Sequence, residues 1–148
     1  MNCVEMKLLL PILVLTMSCG VIDHFKRTPF EYEESGKKQH LVFQLPRAYT
    51  EQKSVLDPQG GKEQFYYYDF GALLYIAKDV SWLTENQPFI EKSNQERARS
   101  GRFTYKGTDA NGLHWKEIRI EGFRFGYSYV PAQQLHRFEH ALNSIRFR

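Results

Sequence analysis

Three features of the chain predict an α+β fold, with a mostly antiparallel sheet of five or six strands and two helices. The first is a period-two alternation from Phe123 to Tyr129, which sets aromatic side chains on one face of a strand. The second is a series of short aromatic and branched runs separated by Gly, Asp and Asn turn signals. The third is an apolar stripe at helical spacing, Leu135, Phe138, Leu142 and Ile145, which follows Pro131. With 148 residues, 42% hydrophobic and 25% charged, the chain has the composition of one globular domain. Disordered, collagen-like and multi-domain classes are excluded. The formal net charge of +3 is too small to name a partner.

Residues 20–28 read as a tether, because their composition is mixed and charged and shows no period. Phe30 and Tyr32 alternate with Glu31 and Glu33, which allows an edge strand. Leu41 to Leu45 form a strand stopped by Pro46, and residues 46–62 read as a long loop punctuated by Pro58 and Gly60-Gly61. Residues 65–68 and 72–78 make a hairpin around Asp69-Phe70-Gly71. A polar stretch from Thr84 to Arg99, striped by Phe89, Ile90 and Ser93, predicts a helix ended by Ser100-Gly101. Three strands follow. Phe103 and Tyr105 lie in the first, before the turn Asp109-Ala110-Asn111-Gly112. Ile118 and Ile120 lie in the second. The third carries Phe123, Phe125, Tyr127 and Tyr129 on one face, with Arg124, Gly126 and Ser128 on the other. The last helix begins after Pro131.

The N-terminus carries an address. Lys7 precedes Leu8-Leu9-Leu10-Pro11-Ile12-Leu13-Val14-Leu15, a run too short to span a bilayer but suited to an export signal. Ser18 then precedes Cys19. This segment resembles a bacterial lipoprotein signal, cleaved by signal peptidase II before a cysteine that carries diacylglycerol. Thr16 departs from the family's usual Leu three residues before the cysteine, with Leu15 one place further back. Met6 is the better start than Met1, because it removes Glu5 from the basic leader. The expected organisation is a signal peptide over 1–18, a lipidated Cys19 with tether over 19–38, and one α+β domain over 39–148.

Of the two cysteines, Cys3 is discarded and Cys19 acylated, so no disulfide is expected and packing alone must stabilise the domain. Each acyl chain adds about 0.8 kcal/mol per buried methylene, and two or three chains give a firm anchor. Gly20 after the cysteine lacks the Asp that resembles an inner-membrane retention signal. The expected site is therefore the outer membrane, facing the periplasm.

The run Gly126-Tyr127-Ser128-Tyr129-Val130-Pro131 leading to Phe138 and Asn143-Ser144-Ile145, with Leu45-Pro46 earlier, resembles small exported PsbP-like (DcrB-like) domains. The likeness covers about residues 40–148. It implies an exported adaptor or binding domain with no shared catalytic residues, and it transfers no functional residue.

Motifs with chemical meaning are few. His136 and His140 are four apart, a spacing that binds zinc from one helix face, but both lie opposite the apolar stripe and no Glu follows His136 as in zincins. Asp69-Phe70-Gly71 lacks every other kinase element, and Asp109-x-Asn111-Gly112 has Ile120 where a calcium loop needs its bidentate acid. Both read as turns. Ser128 lies in a strand with only the first half of a nucleophile elbow, and Glu33 and Glu34 sit in exposed charged sequence. Arg97, Arg99, Arg102 and Lys106 form a basic cluster that reads as a solvated helix end or as a contact for anionic lipid head groups or a partner's acids. Export excludes nucleic acid as its partner.

Tyr66, Tyr67 and Tyr68 are consecutive, so at least one must point away from any single core face. Trp115 is on the face opposite Ile118 and Ile120. Either helices cover both faces and bury these rings, or an aromatic platform is exposed to a partner. The expected function is thus a lipid-anchored, non-enzymatic binding or accessory subunit with an envelope protein or glycan as partner. Its candidate surface is Tyr66, Tyr68, Trp82 and Trp115 with Arg97, Arg99 and Arg102. No cofactor is expected. The alternative is a small envelope enzyme or metal-binding protein that uses the His136/His140 pair.

Overall fold

The computed structural model describes residues 24–93, 96–97 (backbone only) and 101–148. Cys19 and the signal segment lie outside the described residues. In chain order the elements are β1 (Phe25–Glu34), β2 (Lys37–Pro46), β3 (Tyr49–Leu56), β4 (Lys62–Tyr68), β5 (Leu73–Lys78), α1 (Gln87–Ile90), β6 (Glu96–Arg97), β7 (Phe103–Thr108), β8 (His114–Ile120), β9 (Phe123–Val130), α2 (Leu135–Asn143) and β10 (Arg146–Phe147). A 3-10 turn, Ala132–Gln134, leads from Pro131 into α2. The fold is α+β and mostly sheet. The strands form two antiparallel sheets, ordered β1-β2-β10 and β3-β4-β5-β9-β8-β7-β6.

The core lies between the two sheets. Phe30, Leu41, Phe43 and Leu45 from the small sheet meet Tyr66, Leu74, Ile76, Ile118, Phe125 and Tyr127 from the large one. Helix α2 closes one end with Phe138, Ala141 and Leu142. Phe138 is fully buried, and its ring meets Tyr68 and Tyr127 edge-on at 5.0 and 5.8 Å. Pro131 therefore starts this helical segment, and the apolar stripe buries as its spacing predicts.

Four expectations need correction. The segment assigned to the tether enters the fold, because Phe25–Glu34 pairs along its whole length with β2. Pro29 is tolerated there because β1 is an edge strand. The expected loop over 46–62 contains β3, whose residues Thr50–Ser54 are all exposed, so no alternation marked it. The helix expected over Thr84–Arg99 shortens to the single turn α1, because Thr84 and Asn86 turn their side chains onto the sheet instead of capping a helix.

The fourth concerns β9. Phe123, Phe125 and Tyr127 face the core as expected, but Tyr129 does not. A register shift opposite His114 and Lys116 gives Tyr129 a φ of 59° and turns it to the other face, where it meets Phe89. Val130 takes the core position in its place, fully buried.

Candidate binding cleft

The second face of the large sheet is built from rows set by strand register. One row runs Lys53, Phe65, Tyr75, Gly126, Glu117 and Tyr105; the next runs Val55, Glu63, Ala77, Arg124 and Arg119. Sheets with one wet face carry charges at such positions, but here a strap over residues 79–93 lies across them. The strap is pinned by polar contacts. Asp57 accepts from the Ser81 backbone N–H at 2.7 Å, and the Arg124 guanidinium donates to the Trp82 carbonyl at 2.9 Å. Asn86 donates to the carbonyls of Lys116 and Tyr127, both at 3.0 Å, and accepts from the Ser128 hydroxyl at 2.7 Å. Two backbone N–H groups, of Gln59 and Ser81, hold the Asp57 carboxyl below its ordinary range.

Two glutamates lie beneath this strap. Glu117 is fully buried and accepts from the Tyr75 and Thr84 hydroxyls and, at 2.6 Å, from Arg119 Nε. Burial first, and then the Glu117 charge, push the Tyr75 hydroxyl well above its ordinary value, so it stays a donor. Glu63 is different. Only 2% of it is exposed, and Oε2 accepts from the Trp82 indole N–H, while Oε1 has no hydrogen-bond partner among the described residues. An orphaned buried carboxylate oxygen is costly and therefore informative.

Glu63 lines a cleft of about 290 Å³ together with Phe65, Tyr67, Trp82 and Leu83, and with Lys53, Val55 and Glu85. Phe65 and Tyr67 lie two apart on β4, with centroids 6.1 Å apart and planes at 25°, and form a shallow aromatic wall. Burial first, then the charges of Glu85, Glu51 and Glu63, raise the Tyr67 hydroxyl. The cleft thus has an acidic surround with Lys53 as its basic wall residue.

The aromatic residues of the candidate surface drawn from the sequence do not come together. Tyr66 and Tyr68 are buried in the core between the sheets, and Tyr68 donates to the Pro46 carbonyl at 2.9 Å. Trp115 is also buried, on the opposite face, stacked on Phe89 at 5.4 Å and lying against Gly107. Three of the four aromatic rings are therefore packing groups, because both faces of the sheet are covered. Trp82, half-buried, reaches the Glu63 cleft, while Trp115 with Phe89 and Gly107 lines a separate hollow of about 610 Å³. Arg102 borders a separate hollow with Ile120 and Phe147; Arg97 is described by backbone alone, and Arg99 lies outside the described residues.

His136 and His140 are both exposed, and the His140 ring packs on Phe25 at 4.4 Å. Among the described residues no group of three or more His, Cys, Asp or Glu is placed to hold a metal ion. Asp69-Phe70-Gly71 is a turn closed by the Gly71 N–H on the Tyr68 carbonyl, and Asp109 caps its own turn through the Asn111 and Leu113 N–H groups. Glu63, Phe65 and Tyr67 were missed. The signal was the tyrosine parity: with Tyr66 and Tyr68 inside, Tyr67 and its strand-mates Phe65 and Glu63 share the other face.

Comparison with protein-family models, curated proteins and solved structures finds no match for this chain.

The state of Glu63 gives a stability prediction. Burial raises its pKa above the ordinary 4.5, reinforced by the charges of Glu117 and Glu85 and opposed by the Trp82 hydrogen bond and Arg124. A raised folded-state pKa contributes stability that is full below the unfolded value and is lost as pH rises through the folded value. Glu63→Gln removes that loss. Urea melts are expected to show the variant level with the parent near pH 4 and more stable at pH 8. The gain is on the order of 1 kcal/mol, reduced by solvent screening at the cleft mouth. Equal pH slopes in the two proteins would refute the assignment.

Proposed function

We propose that this chain is a lipid-anchored envelope protein, fixed through Cys19, whose folded body is a non-enzymatic binding or accessory module. The observation that carries the binding part is the orphaned Glu63 oxygen in an aromatic-walled cleft. Binding sites keep a few polar groups unsatisfied until the ligand arrives, inside walls that are otherwise apolar. Glu117, the fully buried acid of the same sheet face, already accepts from three donors. The resemblance of Gly126-Tyr127-Ser128-Tyr129-Val130-Pro131 and Asn143-Ser144-Ile145 to PsbP-like domains implies the same kind of role, an adaptor without catalytic residues. Among the described residues no helix is long and apolar enough to cross a membrane, so in this reading the attachment is the lipid.

The anchor is tested by intact mass spectrometry of the membrane fraction. The native chain is expected to begin at Cys19 and carry acyl chains, and Cys19→Ser is expected to accumulate as the unacylated precursor. A native protein that begins with methionine, or that leaves membranes in detergent-free buffer, overturns the anchor. The binding part is tested by recovery of an envelope component on the parent but not on Trp82→Ala.

A further inference from the structure

We propose that the Glu63 cleft takes a primary ammonium group carried on a short aliphatic stem. The inference rests on the binding reading above and adds the chemistry of the ligand. Among the described residues Glu63 Oε1 is an acceptor without a donor, and Glu63 as a whole is 2% exposed. A ligand that satisfies it must bring an N–H or O–H, and a charged donor gains most from a buried carboxylate.

The surroundings choose between a cation and a neutral hydroxyl. The Tyr67 ring in the cleft wall lies in the field of Glu51, Glu63 and Glu85. Lys53 in the cleft lining and the nearby Arg124, whose charge acts on Glu63 while it donates to the Trp82 carbonyl, are two cations against these three glutamates. A positive group is therefore favoured in a volume of about 290 Å³. Phe65, Tyr67 and Trp82 supply ring faces, which attract cations and also bury an aliphatic stem. A quaternary ammonium fits the rings but leaves Oε1 without a hydrogen bond, so a primary amine is the better match.

Two sources carry this chemistry, a free diamine and a lysine side chain of a partner protein. The test follows the Trp82 indole N–H resonance of the purified full chain, assigned by its loss in Trp82→Phe. Titrants are 1,5-diaminopentane, Nα-acetyl-lysine amide and the neutral 1,5-pentanediol. Saturable shifts with the amines and none with the diol are expected, and Glu63→Gln is expected to weaken amine binding about tenfold or more. Tighter binding of the diamine identifies a free amine, and tighter binding of the lysine amide identifies a protein side chain. Either result supports the proposal. Equal shifts with the diol, or amine affinity unchanged in Glu63→Gln, overturn the ammonium assignment and leave the cleft as a binding site. Failure of all three titrants to move the Trp82 resonance overturns both.

Discussion

Glu117→Ala is expected to destabilise the fold by about 3–5 kcal/mol, the cost of removing one member of a buried charged network. Three donors lose their acceptor at once: the Tyr75 hydroxyl, the Thr84 hydroxyl and Arg119 Nε. Tyr75 is fully buried, so its freed hydroxyl has no access to water. Thr84 belongs to the strap over 79–93, and its release loosens the cover of the second sheet face. In a domain of this size the loss corresponds to a fall in Tm on the order of 10 °C.

Companion variants separate the contributions. Glu117→Gln keeps an acceptor for the hydroxyls and loses the ion pair with Arg119, so it is expected to fall between the parent and Glu117→Ala. Tyr75→Phe removes one donor and leaves the acid engaged by the other two, so about 1–3 kcal/mol is expected. Urea melts order the three. A Glu117→Ala protein within about 1 kcal/mol of the parent would mean that the acid is not part of the stabilising network.

Much of the architecture was readable from local pattern, and the failures have definite causes. Strands with an apolar core-facing row announced themselves, as in Ile118 and Ile120 or Phe123 to Tyr127, because the pleat puts alternate residues in the core. Helix α2 was legible from its stripe. Strand β3 was not, since an edge strand exposed from Thr50 to Ser54 buries no face and carries no period. The second half of strand β1 was legible as an edge strand from the Phe30/Tyr32 alternation; its first half, before Pro29, was not, because Pro29 breaks a central strand but is tolerated at an edge. Tyr129 was misplaced because a bulge reverses facing and nothing in the alternation marks where it falls. The cleft was half legible. Trp82 was among the candidate residues, but Glu63 fell between the expected loop over 46–62 and the strand over 65–68 and carried no signal of its own. Only long-range register, with Glu63 opposite Val55 and Ala77 and the strap folded over them, puts it beneath the indole.

Gly126→Ala is expected to be as damaging as a deletion in the core, although it adds only a methyl group. The Tyr75 side chain lies across β9 on its way to Glu117 on β8. A Cβ at Gly126 would sit 2.3 Å from both the hydroxyl oxygen and the ring carbon bearing it, and 2.8 Å from the Lys116 carbonyl. The ring must move, and when it moves Glu117 loses a donor and Phe65, its neighbour in the same row, loses packing. Overpacking of this kind costs about 1–3 kcal/mol or more, with the broken hydrogen bond added to it. The mechanism makes a further demand. Once Tyr75→Leu has withdrawn the ring, the same methyl meets mainly the Lys116 carbonyl, so the double variant should be less destabilised than the sum of the single ones. A double-mutant cycle measures that coupling, and a value near zero would show that the alanine acts through the backbone alone.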